Sequence, residues 1–331
     1  MNRTLFAGVC LALGLAVAWP QQPHAQSPKP DQQAFPQREQ QHFVRGLRVP
    51  DGQPKGTLVP TPIDPARPWG WMLKASLEHP DQPLYNRAKA RLLEGKTVYS
   101  HVITHLDVEQ YCRQAPHYDY TWFEMQHSLM TFADVQKMLQ ACPHAGAAPM
   151  IRLPDAFEST MQKALDIGAL GVVIPTVNDG PQARDAAMWA RFPPAARRSS
   201  GNTTSGPGAK LWNPVVPPGS NFRQSFNDNM LLVVMIETME GVNNAFEIAS
   251  TPGVDVVIIG SNDLQEFTGI PMSDDRYQDL LTRVRNATYL AGKFFGNVIG
   301  KDNPLRADAR FFEYGPTMDG YVDSKPRHDG E

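Results

Sequence analysis

Four apolar runs of the sequence end in residues that can carry a charge or a proton. Glu124 and His127 follow one run, Arg152 ends the next, and Glu237 and Asp263 follow two later ones. In a parallel barrel the carboxyl ends of the strands meet at one rim, where active sites are built. We therefore expect these side chains to converge, although each one alone could be a helix cap or a surface charge.

The two carboxylates, Glu237 and Asp263, suggest a bound cation. Like charges in a shielded site repel, so one carboxylate holds a proton unless a cation intervenes. The sequence has no His or Cys cluster at metal-ligand spacing, and oxygen ligands favour hard ions. We predict a divalent metal cation, Mg²⁺, Mn²⁺ or Co²⁺, that leaves positions for water and a chelating substrate. The alternative is that Asp263 caps the following turn and Glu237 pairs with a lysine.

An arginine and a histidine could complete this chemistry. The planar guanidinium of Arg152 suits a carboxylate or a developing oxyanion, because it donates two bonds at once. His127 can carry a proton near neutral pH but needs an acid to orient it. Asp166 is a candidate for that acid only if the fold brings it back to the histidine. His101 and His105 either line the same pocket or are a buried strand residue and a loop residue.

Composition excludes several classes of protein. The chain has 331 residues, 41% of them hydrophobic, and a formal net charge of -3. Because the charge is near balance, no basic surface that would bind nucleic acid is indicated. The sequence lacks a GxSxG elbow, a Walker loop and a GxGxxG after the first strand, which disfavours serine hydrolase, phosphate-loop and dinucleotide chemistry. We expect a small-molecule substrate, no nucleic acid, no membrane association after signal cleavage, and a possible homo-oligomer.

Strand and helix patterns alternate from about residue 85. Runs such as Leu231–Glu237 and Val254–Ile259 are continuously apolar, which is typical of strands buried on both faces. Seven or eight strand–helix units favour a (β/α)₈ TIM barrel over a doubly wound sheet. Thr131 is predicted to cap one helix. The Pro-, Ser- and Gly-rich segment 192–229 breaks the rhythm and is predicted to be a long functional or disordered loop.

The chain divides into four predicted segments. Arg3 and an apolar stretch over 5–18, followed by small residues, have the layout of a secretory signal. We assign residues 1–25 to a signal peptide, 26–84 to a Pro/Gln-rich extension, 85–325 to the barrel and 326–331 to a tail. The protein is therefore expected to be exported, either to the periplasm or as a secreted protein.

Two cysteines, Cys112 and Cys142, remain after the predicted cleavage. Our helix assignments place both towards the ends of neighbouring helices. In an oxidising compartment such a pair can bridge, and the alternative is two buried, unpaired thiols.

Two blocks of sequence resemble a known family. They read MIRLPDAFESTMQKALDIGALGVVIPTVND and LLVVMIETMEGVNNAFEIASTPGVDVVIIGSNDLQEFTG. The chain is similar, over about residues 85–322, to the HpcH/HpaI aldolase and citrate lyase β-subunit family, which are metal-dependent class II pyruvate aldolases on a TIM barrel.

The resemblance implies a role for several residues. The family's catalytic histidine falls on His127, the carboxylate that pairs with it on Asp166, and its pyruvate-binding arginine on Arg152. The metal ligands fall on Glu237 and Asp263. Three further positions are implied: the backbone of Asn262 holds the pyruvate carboxylate together with that of Asp263, and Arg198 and Trp212 are the arginine and tryptophan of the long loop, Arg198 being assigned to substrate binding.

The implied reaction is retro-aldol cleavage of a 4-hydroxy-2-oxo acid to pyruvate and an aldehyde, through a metal-stabilised pyruvate enolate. Two alternatives stay open: an exported oxo-acid binding protein that keeps the metal site without turnover, and a hydroxyacyl-CoA lyase. The sequence departs from the family pattern beside the histidine at Glu124, Gln126 and Ser128, and at Ser261 in the turn before the metal ligand. These departures concern the part of the site that would bind the aldehyde, whereas the residues expected to hold the metal and pyruvate match the family.

Overall fold

A computed structural model describes most of the predicted barrel. The described residues are 83–193, 195–199, 206–216, 222–300 and 302–314. The predicted signal peptide, the part of the Pro/Gln-rich extension before residue 83, and the C-terminal tail lie outside them.

Eight parallel strands form a closed barrel in which each strand pairs with the next in sequence, and the last pairs with the first. This confirms the predicted (β/α)₈ fold. The strands are β1 (Val98–Ile103), β2 (Tyr120–Glu124), β3 (Ala148–Arg152), β4 (Gly171–Ile174), β5 (Leu231–Ile236), β6 (Val256–Ile259), β7 (Phe294–Gly296) and β8 (Phe311–Phe312).

The strands β5 and β6 form because their residues are apolar on both faces. Every residue of β5 and β6 is buried. Alternate side chains, such as Val233 and Met235, pack inside the barrel, and their neighbours pack against the surrounding helices. This two-residue alternation fixes which side chain at each strand end faces the barrel mouth.

Helices surround the barrel. In chain order they are α1 (Arg87–Leu93), α2 (Val108–Gln114), α3 (Phe132–Ala141), α4 (Glu158–Asp166), α5 (Gly180–Ala190), α6 (Pro207–Trp212), α7 (Phe222–Asn229), α8 (Met239–Asn243), α9 (Ala245–Ser250), α10 (Ser261–Thr268) and α11 (Asp275–Leu290), with 3₁₀ turns at Ala115–His117, Asn213–Val215 and Pro304–Ala307. Thr131 caps α3 as predicted, in a reciprocal capping box with Asp134. Within the part of the chain described here, none of these helices is both long and apolar enough to cross a lipid bilayer.

The prediction that segment 192–229 is irregular was wrong for its described parts. They contain α6 and α7. Polar side chains of α7 are buried, and two of them, Asn227 and Asn229, bind backbone groups of other elements. The Asn227 amide, for example, accepts from the Phe192 N–H (2.7 Å) and donates to the Phe192 carbonyl (3.0 Å).

The amino end of the barrel is closed by buried polar contacts. The Asn229 side-chain oxygen accepts the backbone N–H groups of Tyr85 and Asn86, at 2.7 and 2.8 Å. The Asn86 amide in turn donates to the Asn229 carbonyl (2.7 Å). We call these Asn86–Asn229 contacts the asparagine clasp. Beside it, the buried guanidinium of Arg191 binds the Asp255 carboxylate at 2.6 Å. These contacts join α1, α7 and the barrel floor.

A disulfide joins Cys112 in α2 to Cys142, the residue that ends α3. Their Cα atoms are 5.7 Å apart, the usual separation for a bridged pair. The bridge fixes two neighbouring helices of the outer layer to each other.

Candidate active site

The carboxyl ends of the strands bring five acidic or basic side chains to one rim. Glu124 and Arg152 end β2 and β3, and Glu237 directly follows β5. Asp263 lies in the first turn of α10, just beyond β6. Glu313 follows β8 on the same face as the inward-pointing Phe311. The predicted convergence of Arg152, Glu237 and Asp263 at the barrel mouth agrees with this placement.

Glu237 and Asp263 form an acid pair. The Glu237 side chain is 1% exposed, and its Oε2 accepts both the N–H and the hydroxyl of Thr176, each at 2.6 Å. The pKa of Glu237 is raised to about 7, because burial and, to a smaller extent, the charge of Asp263 raise it by more than the Thr176 hydroxyl lowers it. Gly260 leaves room for this carboxylate, since a β-carbon there would lie 2.4 Å from Glu237 Oε1.

This pair fits a hard divalent cation. Two carboxyl groups that face each other in a shielded site carry unmatched negative charge, which a cation between them would neutralise. Among the described residues, no group of three or more His, Cys, Asp or Glu side chains converges. A metal held here would therefore have two protein ligands, Glu237 and Asp263, and open positions for a chelating oxo acid.

Arg152 is held in place by Glu124. The Nε of Arg152 donates to Glu124 Oε2, and the Trp122 indole N–H donates to the same oxygen at 3.0 Å. The guanidinium lies 5.4 Å from the centre of the Trp122 ring. The other oxygen of Glu124 accepts the backbone N–H groups of Gln126 and His127, both at 2.8 Å. One buried carboxylate thus orients the arginine and shapes the loop that carries the histidine.

His127 and Asn262 are both exposed at the mouth. The loop of His127 is further fixed by the Ser128 hydroxyl, which donates to the Glu124 carbonyl. Asn262 and Asp263 lie in the first turn of α10, where backbone N–H groups have no partner within the helix and are available to an anion.

Two of the predicted site residues lie elsewhere. Asp166 ends α4, which starts at the mouth and runs back towards the amino end of the barrel. Its carboxylate accepts from Gln162 at 2.8 Å and from Arg198 at 2.8 Å, and no bond to His127 is found in the described part of the chain. In the described residues Asp166 is therefore bound to Gln162 and Arg198, and its pairing with His127 stays a prediction.

Arg198 is a packing residue in this structure. Its side chain is 3% exposed, and its guanidinium lies over the rings of Phe192 and Phe226 at 4.2 and 4.3 Å. Trp212, the loop tryptophan, is likewise buried and donates to the Gly168 carbonyl at 2.8 Å. The substrate-binding role of Arg198 stays a prediction, since the contacts found here are to Asp166, Phe192 and Phe226.

The sequence did not identify Thr176 or Glu313 as residues of the site, and it left two interpretations open for His101. Thr176 follows β4, and a survey of that strand end would have found it. His101 points outward from β1 and packs on Tyr118, with ring centres 5.1 Å apart, so it is a buried strand residue. Glu313 gave no signal, because β8 is only two residues long.

The fold and site together define a TIM barrel with an acid pair and a clamped arginine at its carboxyl rim. A model of the HpcH/HpaI aldolase/citrate lyase family matches residues 106–303. The chain belongs to this family.

Similar proteins carry aldolase names. The 2-keto-3-deoxy-L-rhamnonate aldolase of Shigella sonnei is 32% identical over 154 residues, covering 46% of this chain and 55% of that protein. The hydroxypyruvate/pyruvate aldolase of Rhizorhabdus wittichii is 32% identical over 187 residues, covering 55% of this chain and 71% of that protein. The chain thus spans little more than half the length of the first of these relatives.

A solved structure has the same fold. A HpcH/HpaI aldolase/citrate lyase family protein from Burkholderia cenocepacia superposes with a TM-score of 0.60 at 25% identity, covering 69% of this chain and 91% of that one.

Proposed function

We propose that the protein is a metal-dependent aldolase that cleaves a 4-hydroxy-2-oxo acid to pyruvate and an aldehyde, and catalyses the reverse addition. The observation that supports this proposal is that Arg152, Glu237 and Asp263 all lie at the carboxyl ends of their strands, β3, β5 and β6, and so at one barrel rim. The aldolase names of its relatives agree with it.

Glu237 and Asp263 would hold the cation, which we propose to be Mg²⁺, Mn²⁺ or Co²⁺. Such a cation supplies Lewis-acid stabilisation to the oxygens of the oxo acid. The buried carboxylate of Glu237 is kept in position by Thr176 and by the space that Gly260 leaves.

The chain's own groups bind the substrate and move its proton. Arg152, one of whose N–H groups is used by Glu124, presents its remaining donors to the oxygen that becomes negative as the enolate forms. The backbone N–H groups of Asn262 and Asp263 bind the carboxylate. As the C3–C4 bond breaks, its electron pair goes to the enolate and His127 takes the proton of the 4-hydroxyl group. The enolate then takes a proton at C3 from water and leaves as pyruvate, and His127 returns its proton to the solvent.

We also propose that the protein is exported. The signal-like N-terminus indicates this, and the Cys112–Cys142 bridge is the kind of bond that persists in an oxidising compartment. Fractionation of cells that express the full chain, with a thiol-blocking gel-shift assay on each fraction, tests this proposal. A reduced protein confined to the cytoplasm would contradict it.

The reaction is tested by exchange of the pyruvate methyl protons in D₂O, followed by NMR. We expect exchange that needs a divalent cation, stops with a chelator, and falls at least about a hundredfold in Arg152→Ala, because one transition-state donor is worth that much. Arg113→Ala, which removes an exposed arginine of α2, is the matched control and should exchange normally.

The exchange assay also separates the alternatives. Tight binding of oxalate or pyruvate without any exchange would replace the aldolase proposal with an oxo-acid binding protein. Exchange followed by pyruvate release from a panel of 4-hydroxy-2-oxo acids would identify the substrate, whereas release only from hydroxyacyl-CoA thioesters would favour the CoA lyase.

A further inference from the structure

Glu313 is a carboxyl group at the barrel mouth that the reaction described above does not use. Its N–H donates to Asn297 Oδ1 at 3.4 Å, and its carbonyl accepts the hydroxyl of Ser100. Its backbone is therefore tied to β7 on one side and to β1 on the other. Because Phe311 points into the barrel, the side chain two residues later points into the mouth.

The surroundings of Glu313 agree with that direction. The side chains of Asn297 and Tyr314 lower the pKa of its carboxyl group, which lies within electrostatic range of Arg152 and Glu124. Burial raises the pKa of Glu313, whereas the charge of Arg152 lowers it. The carboxyl is thus a shielded group at the barrel mouth, within electrostatic range of the proposed substrate-binding arginine.

The charges of Arg152, Glu124 and Glu313 at the barrel mouth do not balance. Glu124 already neutralises Arg152 through their direct ion pair, so Glu313 adds a carboxyl with no cationic partner of its own among the residues described. A ligand placed beside Arg152 therefore meets a hydrogen-bonding acid and a tyrosine hydroxyl. A second carboxylate on that ligand would be repelled.

We infer that Glu313 determines which aldehyde the site accepts: neutral, hydroxylated aldehydes are favoured, and aldehydes that carry a carboxylate are rejected. This inference rests on the proposed aldolase function. The Glu313 carboxyl accepts a hydrogen bond from a hydroxyl group on the aldehyde. It repels a carboxylate of the same size at that position.

The test compares two acceptors of equal length, glycolaldehyde and glyoxylate, in aldol addition to pyruvate at about pH 8, well above the usual carboxyl range. The purified full chain and its Glu313→Gln variant are assayed with saturating Mn²⁺. We expect the variant to raise kcat/KM for glyoxylate about tenfold and to leave the value for glycolaldehyde equal or lower, because only the charge is removed. Glu109→Gln, which removes an exposed carboxylate of α2, is the control and should leave the ratio unchanged.

Several outcomes would overturn the inference. It is wrong if Glu313→Gln changes both acceptors by the same factor, or if the glyoxylate value does not rise. If neither acceptor turns over, the same ratio is measured from their inhibition of pyruvate proton exchange. If the Gln variant does not fold, as judged by its melting temperature, Glu313→Ala provides the measurement. If the unmodified protein shows no exchange of the pyruvate protons, the aldolase proposal itself is refuted. Failure of that proposal is thus distinguishable from failure of the inference on Glu313.

Discussion

Replacing Gly260 with alanine tests whether the mouth of the barrel is built around the Glu237 carboxylate. An alanine β-carbon at this position would lie 2.4 Å from Oε1, 2.5 Å from Cγ and 2.8 Å from Cδ of Glu237. The backbone itself is unstrained by alanine, since φ is -89°. The Glu237 side chain is 1% exposed and is held by two 2.6 Å bonds from Thr176, so it has no free rotamer to adopt.

The size of the effect follows from these distances. Ordinary carbon–oxygen contact needs about 3.4 Å, so the carboxylate must retreat by about 1 Å. Metal–oxygen distances tolerate only about 0.2 Å. We expect Gly260→Ala to bind Mn²⁺ at least about tenfold more weakly, a change of about 1.4 kcal/mol. Overpacking should also lower the free energy of unfolding by about 1–3 kcal/mol.

Gly180→Ala is the matched control for calorimetric titration with Mn²⁺. A β-carbon at Gly180 would lie 2.2 Å from Glu247 Oε1. The Glu247 side chain, however, is 54% exposed, and its ion pair to Arg184 is long at 3.5 Å. It can therefore move into solvent. We expect wild-type Mn²⁺ affinity in this variant. Equal affinities for the Gly260→Ala and unmodified proteins would refute the assignment of Glu237 as a ligand.

Three further variants test the scaffold. Cys112→Ser opens a bridge that spans 30 residues to Cys142, and chemical denaturation should show a loss of about 3–4 kcal/mol of unfolding free energy. Asp255→Asn leaves the buried Arg191 guanidinium without its charge partner and should cost about 3 kcal/mol in the same assay. Burial, with the nearby charge of a second histidine, lowers the pKa of His101 from 6.5 to about 3. Only the unfolded chain therefore binds this proton between those values, so unfolding free energy should fall by about 1.4 kcal/mol per pH unit as the solution is acidified through that window.

Each of these expectations has its own control. Reduction of the unmodified protein should reproduce the loss seen in Cys112→Ser, and an unchanged midpoint in both would contradict a structural role for the bridge. Arg191→Met with Asp255→Asn should recover part of the stability lost in Asp255→Asn alone, because no buried charge is left. His101→Phe should flatten the acid limb of the stability profile. An unaltered limb would show that another group is responsible.

Sequence alone predicted the barrel because its strands are continuous apolar runs. β5 and β6 were found within two residues of their observed bounds for this reason. The helix α7 was missed because the residues it buries are mostly polar, so the sequence shows no apolar period to detect. Asn229, for example, is an inconspicuous residue in the sequence but binds the first described helix.

The candidate site was predictable where a residue follows a strong strand. Glu237 and Arg152 follow such strands, and the structure places both at the mouth. Asp166 was a candidate only if the fold brought it back to His127, and Arg198 came from the family resemblance; neither source says which end of the barrel a helix terminus occupies. The direction of α4 decides that question, since a helix that leaves the mouth must end at the opposite face.

The asparagine clasp at the barrel floor has a consequence for when the protein can fold. It joins residues 143 positions apart in the chain, Asn86 and Asn229. At a synthesis rate of about 5–20 residues per second, the first helix waits roughly 7–30 s for its native partner. Contacts of such long range form slowly and late. The nascent chain therefore lacks this contact, and the barrel floor is not closed, until Asn229 has been synthesised.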